Sequence, residues 1–151
     1  DQALVNVATV LRDNCRSTAV IGRVEEIIAL CDVIKSSDED IEWLYPDRSV
    51  ADVMRHWLNL GPALAVVTRG GDGAYVAVST DDAIIEVEPR TVSVIDTVGA
   101  GDAFCGALAA RVADGDSLEV AAAFAARFAA YTVQFEGAQA SYPAPGTALP
   151  D

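Results

Sequence analysis

Apolar residues in this chain gather in short continuous runs, and between those runs they recur every three to four positions, so the pattern predicts strands alternating with helices. Leu4 to Leu11 reads as a strand, and Val24, Ile27, Ile28 and Leu30 mark a helix over 22–30. A second strand is predicted from Cys31 to Lys35. Ser37 then serves as an N-cap, with Asp40 in an acidic variant of the capping-box spacing, ahead of Ile41, Trp43 and Leu44; Pro46 stops that helix. Ser49 starts another, whose Val50, Val53, Met54, Trp57 and Leu58 share one face, and Gly61-Pro62 ends it. A buried strand follows over 63–67, then a glycine-rich turn at 70–73, and 75–78 and 84–87 form an antiparallel hairpin across Asp81-Asp82. Val92, Val94 and Ile95 predict a further buried strand, and Ala103 through Leu108 to Val112 a helix. Asp114-Gly115-Asp116 breaks the chain, Ser117 caps a long alanine-rich helix over about 118–134, Gly137 closes it, and the remainder is a Pro-rich loop. The sum is an α/β fold: a mostly parallel sheet with helices on both faces and a small antiparallel hairpin, ligands being expected at the strands' carboxyl ends.

Composition narrows the classes. With 151 residues, 52% of them hydrophobic, the chain can bury one substantial core, so one domain is expected. No apolar run approaches the ~20 residues that span a bilayer, and the first residues lack a basic start followed by an apolar block, so a cytoplasmic location is expected. The start at Asp1, without methionine and directly before an apolar run, suggests a fragment. A net charge of −13 argues against a nucleic-acid or anionic-membrane surface, both of which need a basic footprint. Cys15, Cys31 and Cys105 have neither metal-ligand nor C-x-x-C spacing and read as buried small hydrophobes. His56 reads as a partly exposed helix residue.

The chemistry concentrates in Asp96 to Phe104, D-T-V-G-A-G-D-A-F. Gly99, Ala100 and Gly101 fall at a helix N-terminus, where backbone N–H groups lack partners and the dipole amounts to roughly half a positive charge. Such a start receives phosphate oxygens, and small residues let the ligand approach the backbone. Asp102, in the first turn, is placed to accept a proton from a hydroxyl. The same residues also describe a plain strand-to-helix connection with a first-turn acid. No G-K-[ST] follows the glycines and no G-x-G-x-x-G opens a βαβ unit, which argues against Walker-type and dinucleotide sites. Gly70, Gly71 and Gly73, after Thr68, make a second glycine-rich turn, read on composition as a hairpin turn.

The string D-T-x-G-A-G-D-x-F, fixed at seven of nine positions, resembles the C-terminal signature of the PfkB (ribokinase-like) carbohydrate kinases. The resemblance implies a three-layer ribokinase-like fold of which residues 1–151 form the C-terminal, nucleotide-binding half, the sugar-binding half and lid being absent. It also implies transfer of the ATP γ-phosphate to a sugar hydroxyl, with Asp102 as general base and Gly99, Ala100 and Gly101 as the anion hole. T-R-G-G-D-G-A is similar to the family's T-x-G-x-x-G segment, which gives Thr68, Gly70 and Gly73 a place on the nucleotide phosphates. Lys35 to Asp40 resembles K-x-N-x-x-E, whose acid orders the hydration of Mg2+; Ser37 and Asp40 stand where asparagine and glutamate are usual, and helix capping explains them as well. R-D-N-C-R retains Asn14 and Arg16 of a D-P-N-x-R segment. The loop after the last helix resembles one that surrounds a K+ ion, which would assign Asp96 a carboxylate ligand, Val98, Thr132, Phe135 and Gly137 carbonyl ligands, and Ser141 a hydroxyl; a helix C-cap at Gly137 is the plain alternative. Ala126 would lie beside the adenine. K-S-S-D-E-D-I-E-W-L leans toward the fructokinase-like branch, so fructose or a related ketose is the expected acceptor, and a homodimer is implied for a full-length form. A non-catalytic nucleotide or sugar sensor of the same fold and an inactive fragment of a larger kinase are the other readings.

Overall fold

Strands β1 (Val33–Ser37) and β2 (Leu64–Thr68) run parallel, with Lys35 opposite Val66 and Ser37 opposite Thr68. Strands β3 (Ala74–Val78) and β4 (Ile84–Val87) extend the sheet antiparallel, giving the order β1-β2-β3-β4. The computed structural model describes residues 17–138 and 141–150; the apolar run 4–11, Asn14, Cys15 and Arg16 lie outside the described residues. Among the described residues the sheet is mixed rather than mostly parallel, with one parallel and two antiparallel pairings.

The alternation along β2 builds two cores. Leu64 and Val66 point to one face, where Phe104, Leu108, Ala121, Ala122 and Ala125 cover them. These come from α4 (Ala100–Ala113) and α5 (Leu118–Thr132), and the alanines, fully buried, let the two helices lie close. Ala65 and Val67 point to the other face, against Ile28, Met54 and Trp57. There α1 (Ser17–Ile28), α2 (Asp38–Leu44) and α3 (Val50–Leu60) pack. Helices on both faces of one sheet make three layers. On the α1–α3 face a polar chain crosses the core: Trp57 Nε1 donates to the Tyr45 hydroxyl at 3.2 Å, which donates to Glu25 at 3.0 Å, and Glu25 also takes His56 at 2.7 Å. His56 is thus the half-buried helix residue expected, with an acidic partner.

Three expectations are corrected. Val92, Val94 and Ile95 form no strand; Val94 and Ile95 are 60% and 66% exposed, and the Ile95 and Asp96 N–H groups donate to the Val133 carbonyl at 2.7 and 3.2 Å instead of to a neighbouring strand. That same carbonyl lies where α5 ends, at Thr132 rather than 134, and Gly137 sits in the loop beyond the helix instead of closing it. Cys31 is half-buried and Cys105 exposed; on α4 the buried positions are Ala103, Phe104, Ala107 and Leu108, and Cys105 turns about 100° away from Phe104.

Candidate functional site

Because β1 and β2 are parallel, their carboxyl ends lie side by side, tied by the Thr68 hydroxyl donating to the Ser36 carbonyl at 3.3 Å. A cavity of roughly 390 Å³ opens there. Lys35, Ser37 and Thr68 line it from the sheet, and Gly70, Gly71 and Gly73 from the turn after β2. Ala100, Gly101 and Phe104 of α4 form another wall, and Ala126, Ala129 and Ala130 of α5 supply an apolar end. Of the residues singled out in the sequence, the structure therefore brings together Lys35, Thr68, Gly70, Gly73, Ala100, Gly101 and Ala126.

The turn after β2 is a short 3₁₀ segment, Gly70–Asp72, held by the Arg69 N–H to the Gly73 carbonyl at 2.8 Å and the Asp72 N–H to the Arg69 carbonyl at 2.9 Å. Since β2 and β3 pair antiparallel, it is the hairpin turn that composition suggested, and it also lines the cavity. Gly73 has a fold-level reason to be glycine: φ is +88°, and a Cβ there would lie 2.1 Å from the Val87 carbonyl oxygen. The Arg69 side chain turns to the sheet, pairing with Glu86 and stacking 4.1 Å from the Tyr75 ring centroid.

Gly99 is the N-cap of α4, with φ +81° in the left-handed region and no side-chain cap. A Cβ on it would lie 2.6 Å from the Ala138 Cβ, so the loop after α5 rests directly on this helix start. The Lys35 ammonium comes within 3.5 Å of the Cβ position of Gly101, bringing a mobile positive charge to the positive end of the helix. The Ala100 N–H turns back to the Thr97 carbonyl at 3.2 Å, which engages one of the three expected donors. Asp102 sits in the first turn, exposed, beside the cavity rather than in its lining.

Asp40 is in the capping box: its Oδ2 accepts from the Ser37 N–H at 3.0 Å and from the Ser36 hydroxyl at 3.3 Å, while its own N–H donates to the Ser37 hydroxyl at 3.1 Å. Desolvation pushes this carboxyl up, but the Ser37 and Ser36 hydrogen bonds and the Lys35 charge outweigh it and hold it below the ordinary value. Asp96 joins two segments, Oδ1 accepting from the Val98 N–H and Oδ2 from the Gly137 N–H, both at 2.9 Å, and those bonds hold its carboxyl below the ordinary value. Asp96, Val98 and Gly137 are therefore together. The Thr132 carbonyl accepts from the Phe135 N–H at 3.2 Å, and the buried Ser141 hydroxyl donates to the Ala138 carbonyl at 3.0 Å. Gln139 and Ala140, between them, lie outside the described residues.

Glu88, Pro89 and Arg90 also line the cavity, and sequence reasoning missed them. The available signal was an arginine six residues before Asp96 in a chain with only 10 basic residues against 23 acidic ones.

The comparisons with known proteins agree on a family and on partial coverage. A profile of the pfkB family carbohydrate kinases matches residues 2–145. A ribokinase of Staphylococcus aureus is 33% identical over 124 residues, covering 78% of this chain and 40% of that protein. A fructokinase of Rhizobium leguminosarum bv. trifolii is 39% identical over 84 residues, 56% of this chain and 25% of that protein. The crystal structure of a ribokinase from Thermotoga maritima matches with a TM-score of 0.73 at 30% identity, over 80% of this chain and 41% of the other. A fructokinase from Vibrio cholerae O395, solved with fructose, ADP and calcium ion, matches with a TM-score of 0.73 at 29% identity, over 83% of this chain and 42% of the other. The fold is ribokinase-like α/β, and the chain spans less than half the length of these relatives.

Proposed function

The chain belongs to the pfkB family of carbohydrate kinases, and from that premise we propose that residues 1–151 are the nucleotide-binding half of an ATP-dependent sugar kinase, with fructose or a related ketose as phosphoryl acceptor. The observation that carries the reading is the cavity: Lys35, the Thr68–Gly73 turn and the start of α4 meet on one space at the strands' carboxyl ends. Identity to a fructokinase supports the choice of sugar.

In this reading the nucleotide phosphates lie between the glycine turn and the first turn of α4, with Lys35 against their charge and the adenine toward Ala126. Asp102 takes the proton from the sugar hydroxyl as its oxygen bonds to the γ-phosphorus and the bond to the departing ADP breaks. The first-turn N–H groups, left without a side-chain cap by Gly99, meet the negative charge that develops on the transferring group. No group of three ligating side chains occurs among the described residues, which suits magnesium held chiefly by phosphate oxygens and water, with Asp40 acting through its hydration shell. Magnesium supplies charge neutralisation of the phosphates when bound. Asp96, with Val98, Thr132, Phe135, Gly137 and Ser141, would hold potassium, an ion suited to carbonyl and carboxylate oxygens.

A second reading, a nucleotide or sugar sensor without catalysis, is favoured by the engagement of Asp40 in the capping box. Calorimetric titration with ATP, with and without magnesium and potassium, separates the two: the kinase reading expects magnesium-dependent binding, strengthened by potassium, and magnesium-independent binding favours the sensor. For the kinase, Asp102→Asn in the full-length protein carrying this chain should cut turnover by about 10²- to 10⁴-fold while nucleotide affinity holds. Unchanged turnover would remove Asp102 from the mechanism.

A further inference from the structure

Arg90 lies past the end of β4, on the wall of the cavity formed by Glu88, Pro89 and Arg90. Its Nε is enclosed and has no hydrogen-bond partner, as holds for Arg69 and Arg111 too, so what sets Arg90 apart is the rest of its guanidinium. Four other arginines, Arg23, Arg55, Arg69 and Arg111, are joined to acids. Arg90 has no salt bridge among the described residues, although Glu88, Asp38 and Glu39 line the same cavity. A guanidinium stays charged at any working pH and offers its donors in a rigid planar fork, so one that lines a cavity without an ion-pair partner suits an anion that comes from outside the chain. The wall also has a known neighbour. The Pro89 nitrogen lies 3.0 Å from the Cβ position of Gly73, which seats the Arg90 segment directly against the glycine turn, while the second cation, Lys35, enters from β1 beside Gly101. Two cations from separate walls suit an extended anion better than a single compact one.

We propose that Arg90 is a phosphate-binding residue of this cavity, its guanidinium holding oxygens of the nucleotide's polyphosphate from the wall of the glycine turn while Lys35 holds it from β1. The inference rests on the nucleotide reading above and adds a residue to it. A bidentate grip by Arg90 would fix the direction in which the polyphosphate crosses the cavity, which a point charge such as Lys35 does not do.

The test is titration of the chain, as wild type, Arg90→Gln and Arg90→Lys, with ATP, adenosine and inorganic tripolyphosphate, with thermal melts to verify folding. Arg90→Gln should weaken ATP and tripolyphosphate by about ten- to a hundredfold and leave adenosine unchanged, and Arg90→Lys should recover part of the loss. Equal losses for adenosine and ATP would mean that Arg90 stacks on the base or supports the wall, and would overturn the proposal, as would unchanged binding of ATP and tripolyphosphate. The two readings fail separately. Wild type binding ATP with Arg90→Gln unaffected removes Arg90 and keeps the nucleotide site. Wild type binding tripolyphosphate through Arg90, and ATP no better, keeps the phosphate contact and removes the nucleoside. Binding of none of the three overturns both.

Discussion

Two helix starts face the same cavity, and they are built in opposite ways. At α2 the chain closes its own N-terminus: the Ser37 hydroxyl takes the Asp40 N–H, the Asp40 carboxylate takes the Ser37 N–H, and Asp38, Glu39 and Asp40 crowd the first turn with negative charge. At α4 the N-cap is Gly99, no side chain reaches the first-turn donors, a single acid occupies the first turn, and the Lys35 ammonium stands nearby. Both ends carry the same dipole, roughly half a positive charge, yet α2 spends it on its own side chains and α4 has no side chain to spend it on. On the nucleotide reading proposed above, a phosphate in the cavity would meet Asp38 and Glu39 at one start and the Lys35 ammonium beside Gly101 at the other. On that reading the difference favours an anion beside Gly101 over one beside Ser37.

The largest effect on that comparison should come from Gly99→Ala. The substitution puts a side chain into the left-handed region and a Cβ 2.6 Å from that of Ala138, so stability should fall by about 2–4 kcal/mol in urea denaturation. Adding Ala138→Gly should return the part due to overlap and leave the part due to φ. A Gly99→Ala chain as stable as wild type would mean that the 137–138 loop does not press on the open helix start.

How far the sequence carried this picture depends on which residues did the signalling. Local signals were legible: the serines at positions 37, 49 and 117 cap α2, α3 and α5 as their spacing predicts, and Asp40 completes the box. The glycines before α4 announced its start within a residue. What failed were inferences that need a distant partner. Val94 and Ile95 have the β-branched composition of a buried strand, but a strand is buried only by neighbours, and their segment bonds to Val133 instead. Gly137 has the identity of a helix C-cap, yet its N–H is taken by Asp96, forty-one residues away in sequence. Gly73 is explained as much by the Val87 carbonyl beside it as by any phosphate, a contact no local pattern encodes. Arg90 escaped for the same reason: what marks it is that it lines the cavity and pairs with none of the acids that share that lining, which only three dimensions reveal.

On the closed start, Ser37→Ala should cost about 1 kcal/mol, the usual loss for an N-cap hydroxyl, read as a lowered urea midpoint with an unchanged slope. No loss would show that the Asp40 carboxylate alone closes α2 and that the two starts differ by one side chain rather than by a reciprocal pair.

The smallest effect should be the dependence of that closed start on pH, and its sign follows from the geometry. Desolvation raises the Asp40 carboxyl, but the bonds from Ser37 and Ser36 and the charge of Lys35 prevail, so folding lowers it below the ordinary aspartate value of 3.8. A group lowered on folding stabilises the fold fully above its unfolded value, and the contribution is lost as pH falls through the folded value. Asp40→Asn should therefore lower the Tm at about pH 7 and show a smaller further drop than wild type on going to about pH 3, measured by calorimetry. Some acid sensitivity should survive in the variant, because Asp96, held by the Val98 and Gly137 N–H groups, is also lowered, and so is Glu25 beside His56 and Tyr45. If the variant loses as much Tm toward acid as wild type, the Asp40 carboxylate is not what closes α2, and the contrast with α4 rests on Ser37 alone.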